Sequence, residues 1–168
     1  MRIERVVADA SPLIILFKSG FADLLPRLFP VVLVTEQVFA EVMEGGDAGP
    51  DTDVAVLGLT AASWVTRIEV PVIPDLIAAW DLGVGESSVL AHSLVTPGAR
   101  AMLDDRAARV CASALGVRTI GTAGVLLLAK KRGLLDSVGD ALKRVIDCGC
   151  WLSEDIVKSV LVEAGENG

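Results

Sequence analysis

Five short apolar runs, each giving way to a helix start, constrain this 168-residue chain more than any other feature. They are Val6–Ala8, Val31–Val34, a stretch around Trp64–Ile68, Arg100–Leu103 and Val117–Ile120. Runs this short, several of them rich in β-branched residues, read as buried strands. After the first, Ser11 is a good N-cap and Pro12 suits a first helical turn, predicting a helix that ends near Gly20. After the second, Thr35 is the N-cap and Gly45-Gly46 the stop. Gly121-Thr122 leads the fifth run into GVLLLAKKRG. Alternating apolar strands and helices predict an α/β fold, a three-layer α/β/α sandwich with a central parallel sheet. A hydrophobic fraction of 52% and a mean hydropathy of +0.58 suit a sheet covered on both faces.

The length predicts one domain over residues 1–168. A Gly/Asp/Pro loop follows Gly46, then a short helix before the third strand. Helical sequence resumes near Pro74, and again after Gly85 with ESSVLAHSLV. RAARVCASALG follows the fourth strand, and two helices over about residues 137–164 close the chain before GENG, a short tail expected to be disordered.

No apolar segment approaches the ~18 uninterrupted residues of a spanning helix, and Asp9 and Pro12 interrupt the first run. A cytoplasmic protein without membrane contact is the expectation. Cys111, Cys148 and Cys150 are then reduced thiols, and Cys148-Gly149-Cys150 lacks the further ligands a structural zinc wants. The single histidine, His92, sits in an apolar helical stretch with no nucleophile marked beside it. A net charge of −7 weighs against a nonspecific nucleic-acid binder, but not against a nuclease whose metal-binding acids contribute to that charge.

The acids share an address. Asp9 follows the first strand, Glu41 lies about one and a half turns into the helix after the second, Glu86 follows Gly85 at a helix start, and Asp104-Asp105 ends the fourth strand. Ligands bind outside the carboxyl ends of parallel strands, so these acids could converge on one crevice and hold a hard divalent cation. The alternative is that each acts separately, Asp9 and Glu86 through helix dipoles, Glu41 and Asp104 as solvated charges. Arg106 and Arg109 lie one turn apart beside the acid pair, and Lys130-Lys131-Arg132 ends a helix. Phosphate contact and helix C-terminal charge are the two readings of these bases.

In order and spacing, VVADASPLI, VTEQVFAEV, DLGVGESSVLAHSL and AMLDDRAARVCASALGVRTIGTAGVLLLAKKRG resemble the PIN-domain family, in particular prokaryotic proteins related to VapC-type toxins. The resemblance implies a metal-dependent ribonuclease using Mg2+ or Mn2+. It assigns the metal-holding acids to Asp9, Glu41, Glu86 and Asp105, with Asp104 as a further candidate. It makes Ser11 and Thr122 residues that position water or acids, and offers Arg106, Arg109 and Lys130 to substrate. It also implies an RNA substrate, a cognate antitoxin and a homodimer. Two departures stand out: Glu86 replaces an aspartate common in such toxins, and the motifs do not account for the final helices.

A non-catalytic PIN-like binding or regulatory module is the rival, favoured by the acidic charge and by Glu86. A small-ester phosphohydrolase would need an acid two residues beyond its nucleophilic Asp, and Asp9 is followed by Ala10-Ser11.

Overall fold

The computed structural model describes residues 3–45 and 52–166, and every apolar run is a strand within them. The strands are β1 (Arg5–Ala8), β2 (Val31–Thr35), β3 (Val65–Ile68), β4 (Ala99–Met102) and β5 (Arg118–Ile120). They form one parallel sheet in the order β3-β2-β1-β4-β5. Val6, Val7 and Ala8 are fully buried, which is why the central strand shows no alternation of apolar and polar residues.

Ten helices are described: α1 (Ala10–Ser19), α2 (Leu24–Leu28), α3 (Glu36–Met43), α4 (Thr52–Ala61), α5 (Asp75–Ala78), α6 (Val84–Val95), α7 (Arg106–Ala114), α8 (Thr122–Lys131), α9 (Val138–Asp147) and α10 (Glu154–Glu163). α1, α8 and α9 pack on one another, with α2 and α10 against α8, while α6 lies over β1, β2 and β4 with α5 and α7 beside it. The result is a three-layer α/β/α sandwich, as expected. α3 touches both α1 and α6, bridging the layers. The unexplained final helices complete the core: Val138, Ala141, Leu142 and Val145 of α9 are buried. Among the described residues, no helix is long and apolar enough to cross a membrane.

Three local expectations change. α1 begins at Ala10 with Asp9, not Ser11, at its N-cap, because the Asp9 amide still donates to Met102 O (3.1 Å) in the sheet ladder while its carbonyl already accepts from Leu13 N (3.3 Å). α6 begins at Val84, so Gly85 and Glu86 lie inside its first turn. In the tail, Glu166 is fixed: its carboxylate accepts from the amides of Val138 (2.7 Å) and Gly139 (2.8 Å) and pairs with Lys130 Nζ (3.3 Å). Asn167-Gly168, Gly46 of the helix stop and the loop through Asp51 lie outside the described residues.

Candidate active site

The chain order β1-β2-β3 runs outward from the central strand, then reverses to add β4 and β5 on its other side. Such a reversal opens a crevice beyond the carboxyl ends of the two strands that flank it, here β1 and β4. Register then fixes what emerges there. Ala8 pairs with Met102 and Met102 with Ile120, so Asp9, Leu103-Asp104 and Gly121-Thr122 leave the sheet at one level.

Asp9 is the deepest of the acids, 3% exposed. Its Oδ1 has no hydrogen-bond partner among the described residues, and its side chain makes no capping bond to α1. Burial raises its pKa to about 7; the Ala10 amide opposes that rise, and the carboxylates of Glu86, Glu41 and Asp104 add to it. Asp9 therefore stands in the field of three other acids.

Those acids arrive from three directions. α3 carries Glu41, whose Oε1 accepts from Gly85 N at 3.0 Å. A Cβ on Gly85 would lie 2.5 Å from that oxygen, so glycine is what admits the contact. Glu86, in the first turn of α6, has its pKa raised by burial, with Asp105 and Glu41 adding and the Gly83 amide opposing. Asp104 accepts twice from Thr122, from its amide (2.7 Å) and its hydroxyl (2.6 Å). Asp105 is exposed and caps α7, its Oδ2 accepting from Ala108 N at 3.0 Å. The two strand-final acids thus divide, Asp104 acting on Asp9 and Asp105 on Glu86.

Beneath Glu41 and Glu86 lies a buried hydroxyl chain that the sequence did not disclose. Ser88 Oγ donates to Gly85 O (2.6 Å), which makes Thr35 Oγ1 the donor to Ser88 Oγ (2.7 Å). Thr35 Oγ1 in turn accepts from Val38 N (3.1 Å), the expected N-cap of α3. With the Gly85 N to Glu41 bond, α3 and the first turn of α6 are tied together by hydrogen bonds donated in both directions. Thr35 looked only like a cap and Ser88 like an ordinary helix residue. The signal available was two small hydroxyls, one at a strand end and one a turn into a helix.

Of the remaining expected residues, Thr122 is buried at the start of α8 and Ser11 is exposed in the first turn of α1. Arg106 and Arg109 are exposed on α7, and Arg109 Nη1 and Asp104 Oδ1 would both lie within 3.2 Å of a Cβ at Gly121. Lys130 is not brought to the crevice. It sits near the far end of α8 from Thr122, donates to Asp136 O and pairs with Glu166.

Among the described residues, no three His, Cys, Asp or Glu side chains are grouped to hold a metal ion. Glu41, Asp104 and Asp105 are each turned onto a backbone amide instead. The donors that face one another are nonetheless all oxygen, the set a hard divalent cation takes, and the orphaned Asp9 Oδ1 is a lone pair such an ion would satisfy. Cys111, Cys148 and Cys150 are free thiols.

The family model DUF3368, described as a PIN domain, matches residues 5–166. No curated protein matches the chain. The chain belongs to the PIN-domain family, which carries a nuclease-type fold and typically binds divalent metals.

Proposed function

We propose that this PIN-domain protein is a Mg2+- or Mn2+-dependent endoribonuclease, the toxin half of a VapC-type toxin–antitoxin pair acting in the cytoplasm. Asp9 carries the reading: a buried carboxylate with an unpartnered oxygen, in the field of three other acids, that holds the N-cap position of α1 without a side-chain capping bond. Such a group is expensive to keep for structure alone.

Asp9, Glu41, Glu86 and Asp105 hold one or two cations in this account, with Asp104 as the further acid that Thr122 fixes. When bound, a divalent cation lowers the pKa of water, orients a phosphodiester and offsets charge on the leaving oxygen. The chain's own side chains do the rest. Arg106 and Arg109 contact phosphate oxygens, Gly85 N sets the Glu41 carboxylate, and Ser11 is the exposed hydroxyl that positions water beside α1. In-line attack of water on phosphorus then leaves a 5′-phosphate and a 3′-hydroxyl. Lys130, committed to Glu166, has no part in substrate contact. A homodimer and an antitoxin that covers the crevice complete the proposal.

The hydrogen bonds that turn Glu41, Asp104 and Asp105 onto amides favour a second reading, a PIN-like module that binds without cleaving. Cleavage of RNA with Mn2+ against EDTA, with an Asp9→Asn chain alongside, separates the two.

A further inference from the structure

A groove of about 890 Å3 runs along the outer side of β5, between α7 and α8, with the loop after α9 and the start of α10 at its lower end. Its charge is opposite to that of the chain. Overall the chain has 22 acids against 15 bases, but the groove is lined by Arg100, Arg106, Arg109, Lys131 and Arg132 against one acid, Asp104. Both oxygens of that acid already accept from Thr122. Lys131 makes an exposed pair with Glu163 and Arg132 donates to Leu28 O, whereas Arg100, Arg106 and Arg109 make no ion pair with any described residue.

Between these cations the wall is apolar and open to water. Trp151 is 83% exposed, Val110 49% and Ile156 40%, beside Leu127 and Leu128 of α8. Apolar surface concentrated in a concave, cation-rimmed groove marks an interaction site rather than scattered exposure.

We infer that this groove docks an acidic amphipathic segment of a partner protein, its apolar residues against Trp151, Leu127 and Ile156 and its carboxylates against the arginines. The lining selects a peptide over a single-stranded nucleic acid. Nucleic-acid tracks set successive bases on aromatic platforms, and here one tryptophan stands among aliphatic side chains. An amphipathic segment with apolar anchors at helical or alternate spacing matches aliphatic walls with a charged rim. Docking requires nothing of the acidic crevice. One consequence does rest on the nuclease reading: an occupied groove withdraws Arg106 and Arg109 from RNA phosphates.

The test pans a displayed library of random peptides about 16 residues long on the full chain, then measures selected peptides by fluorescence anisotropy. The expected peptides carry net negative charge and spaced apolar residues. Trp151→Ala and Lys131→Glu, both at exposed positions, should each weaken their binding about fivefold or more at unchanged melting temperature. Selected peptides that are neutral or basic, a library with no enrichment, or binding indifferent to both variants would overturn the inference. So would a single-stranded RNA of about 12 nucleotides that binds more tightly than the peptides and is lost in Trp151→Ala, since the groove is then a nucleic-acid track. A dimer in sedimentation that Trp151→Ala dissociates would equally overturn it, by assigning the groove to a second copy.

Discussion

The hydroxyls of Thr35 and Ser88, fifty-three residues apart in the chain, lie 2.7 Å from each other, fully buried beneath the acids of α3 and α6. The two complete one chain: Ser88 passes its proton to Gly85 O, and Thr35 caps α3 while donating to Ser88. Replacing Ser88 by Ala leaves the Thr35 proton without its acceptor and takes one of its donors from Gly85 O. The expected cost is about 1–3 kcal/mol in denaturant unfolding. If the pair also sets the register of Glu41 against Glu86, metal-dependent cleavage should fall by roughly tenfold or more at temperatures where the variant is fully folded. A variant that loses stability but cleaves normally would confine the pair to structure.

Gly85→Ala separates position from stability. Alanine is the better helix former, by about 0.5–1 kcal/mol, yet its Cβ would lie 2.5 Å from Glu41 Oε1. That oxygen ends a flexible side chain and can swing away at small cost. The expected result is a melting temperature within a few degrees of the parent, with activity reduced by about tenfold or more. Activity equal to the parent would show that the Glu41 position does not matter.

Asp9 gives stability an unusual pH dependence. Its pKa is about 7 in the fold against 3.8 for the free side chain, so between those values the folded state holds a proton that the unfolded chain has released. Stability from this group is therefore present at acid pH and lost as pH rises from about 4 to about 7. Asp9→Asn should raise the melting temperature of metal-free protein at pH 8 and abolish most of the stabilisation that Mn2+ confers on the parent. The Mn2+ effect on the parent should itself grow as pH rises through 7, because cation and proton compete for the same carboxylate. A destabilised Asp9→Asn chain at pH 8 would contradict the assignment.

Glu166 has the opposite sign. The amides of Gly139 and Val138 hold its pKa down to about 2, with Lys130 beside it. Its contribution is present above the usual carboxyl range, near 4.5, and is lost as pH falls towards 2. Glu166→Gln should lower the melting temperature by a few degrees at pH 7, and the gap to the parent should close on acidification. The Mn2+ response should stay unchanged, since this latch lies at the far end of α8 from Thr122.

The strands were legible because a parallel sheet buried on both faces leaves continuous apolar runs, and helix starts because Thr35 and Gly121-Thr122 stand where caps belong. Asp9 was legible as an acid at a strand end that could also cap the turn, but Ser11 and Pro12 mimic a helix start that the Asp9 to Met102 ladder bond moves two residues earlier. Ser88, Gly85 and Gly121 were not legible, because their roles arise only when α3 meets α6 and β4 meets β5, contacts between residues distant in sequence. Lys130 misled for the same reason. A basic helix end looks alike whether it faces a phosphate or the Glu166 carboxylate that fills this one.

The most direct test of the central claim is cleavage of a mixed RNA pool by purified protein in Mg2+ or Mn2+, beside EDTA and an Asp9→Asn chain. The account predicts cutting that leaves 5′-phosphate ends, stops in EDTA and disappears in Asp9→Asn. Equal cutting by both chains, or no cutting by a well-folded parent in either metal, would contradict it.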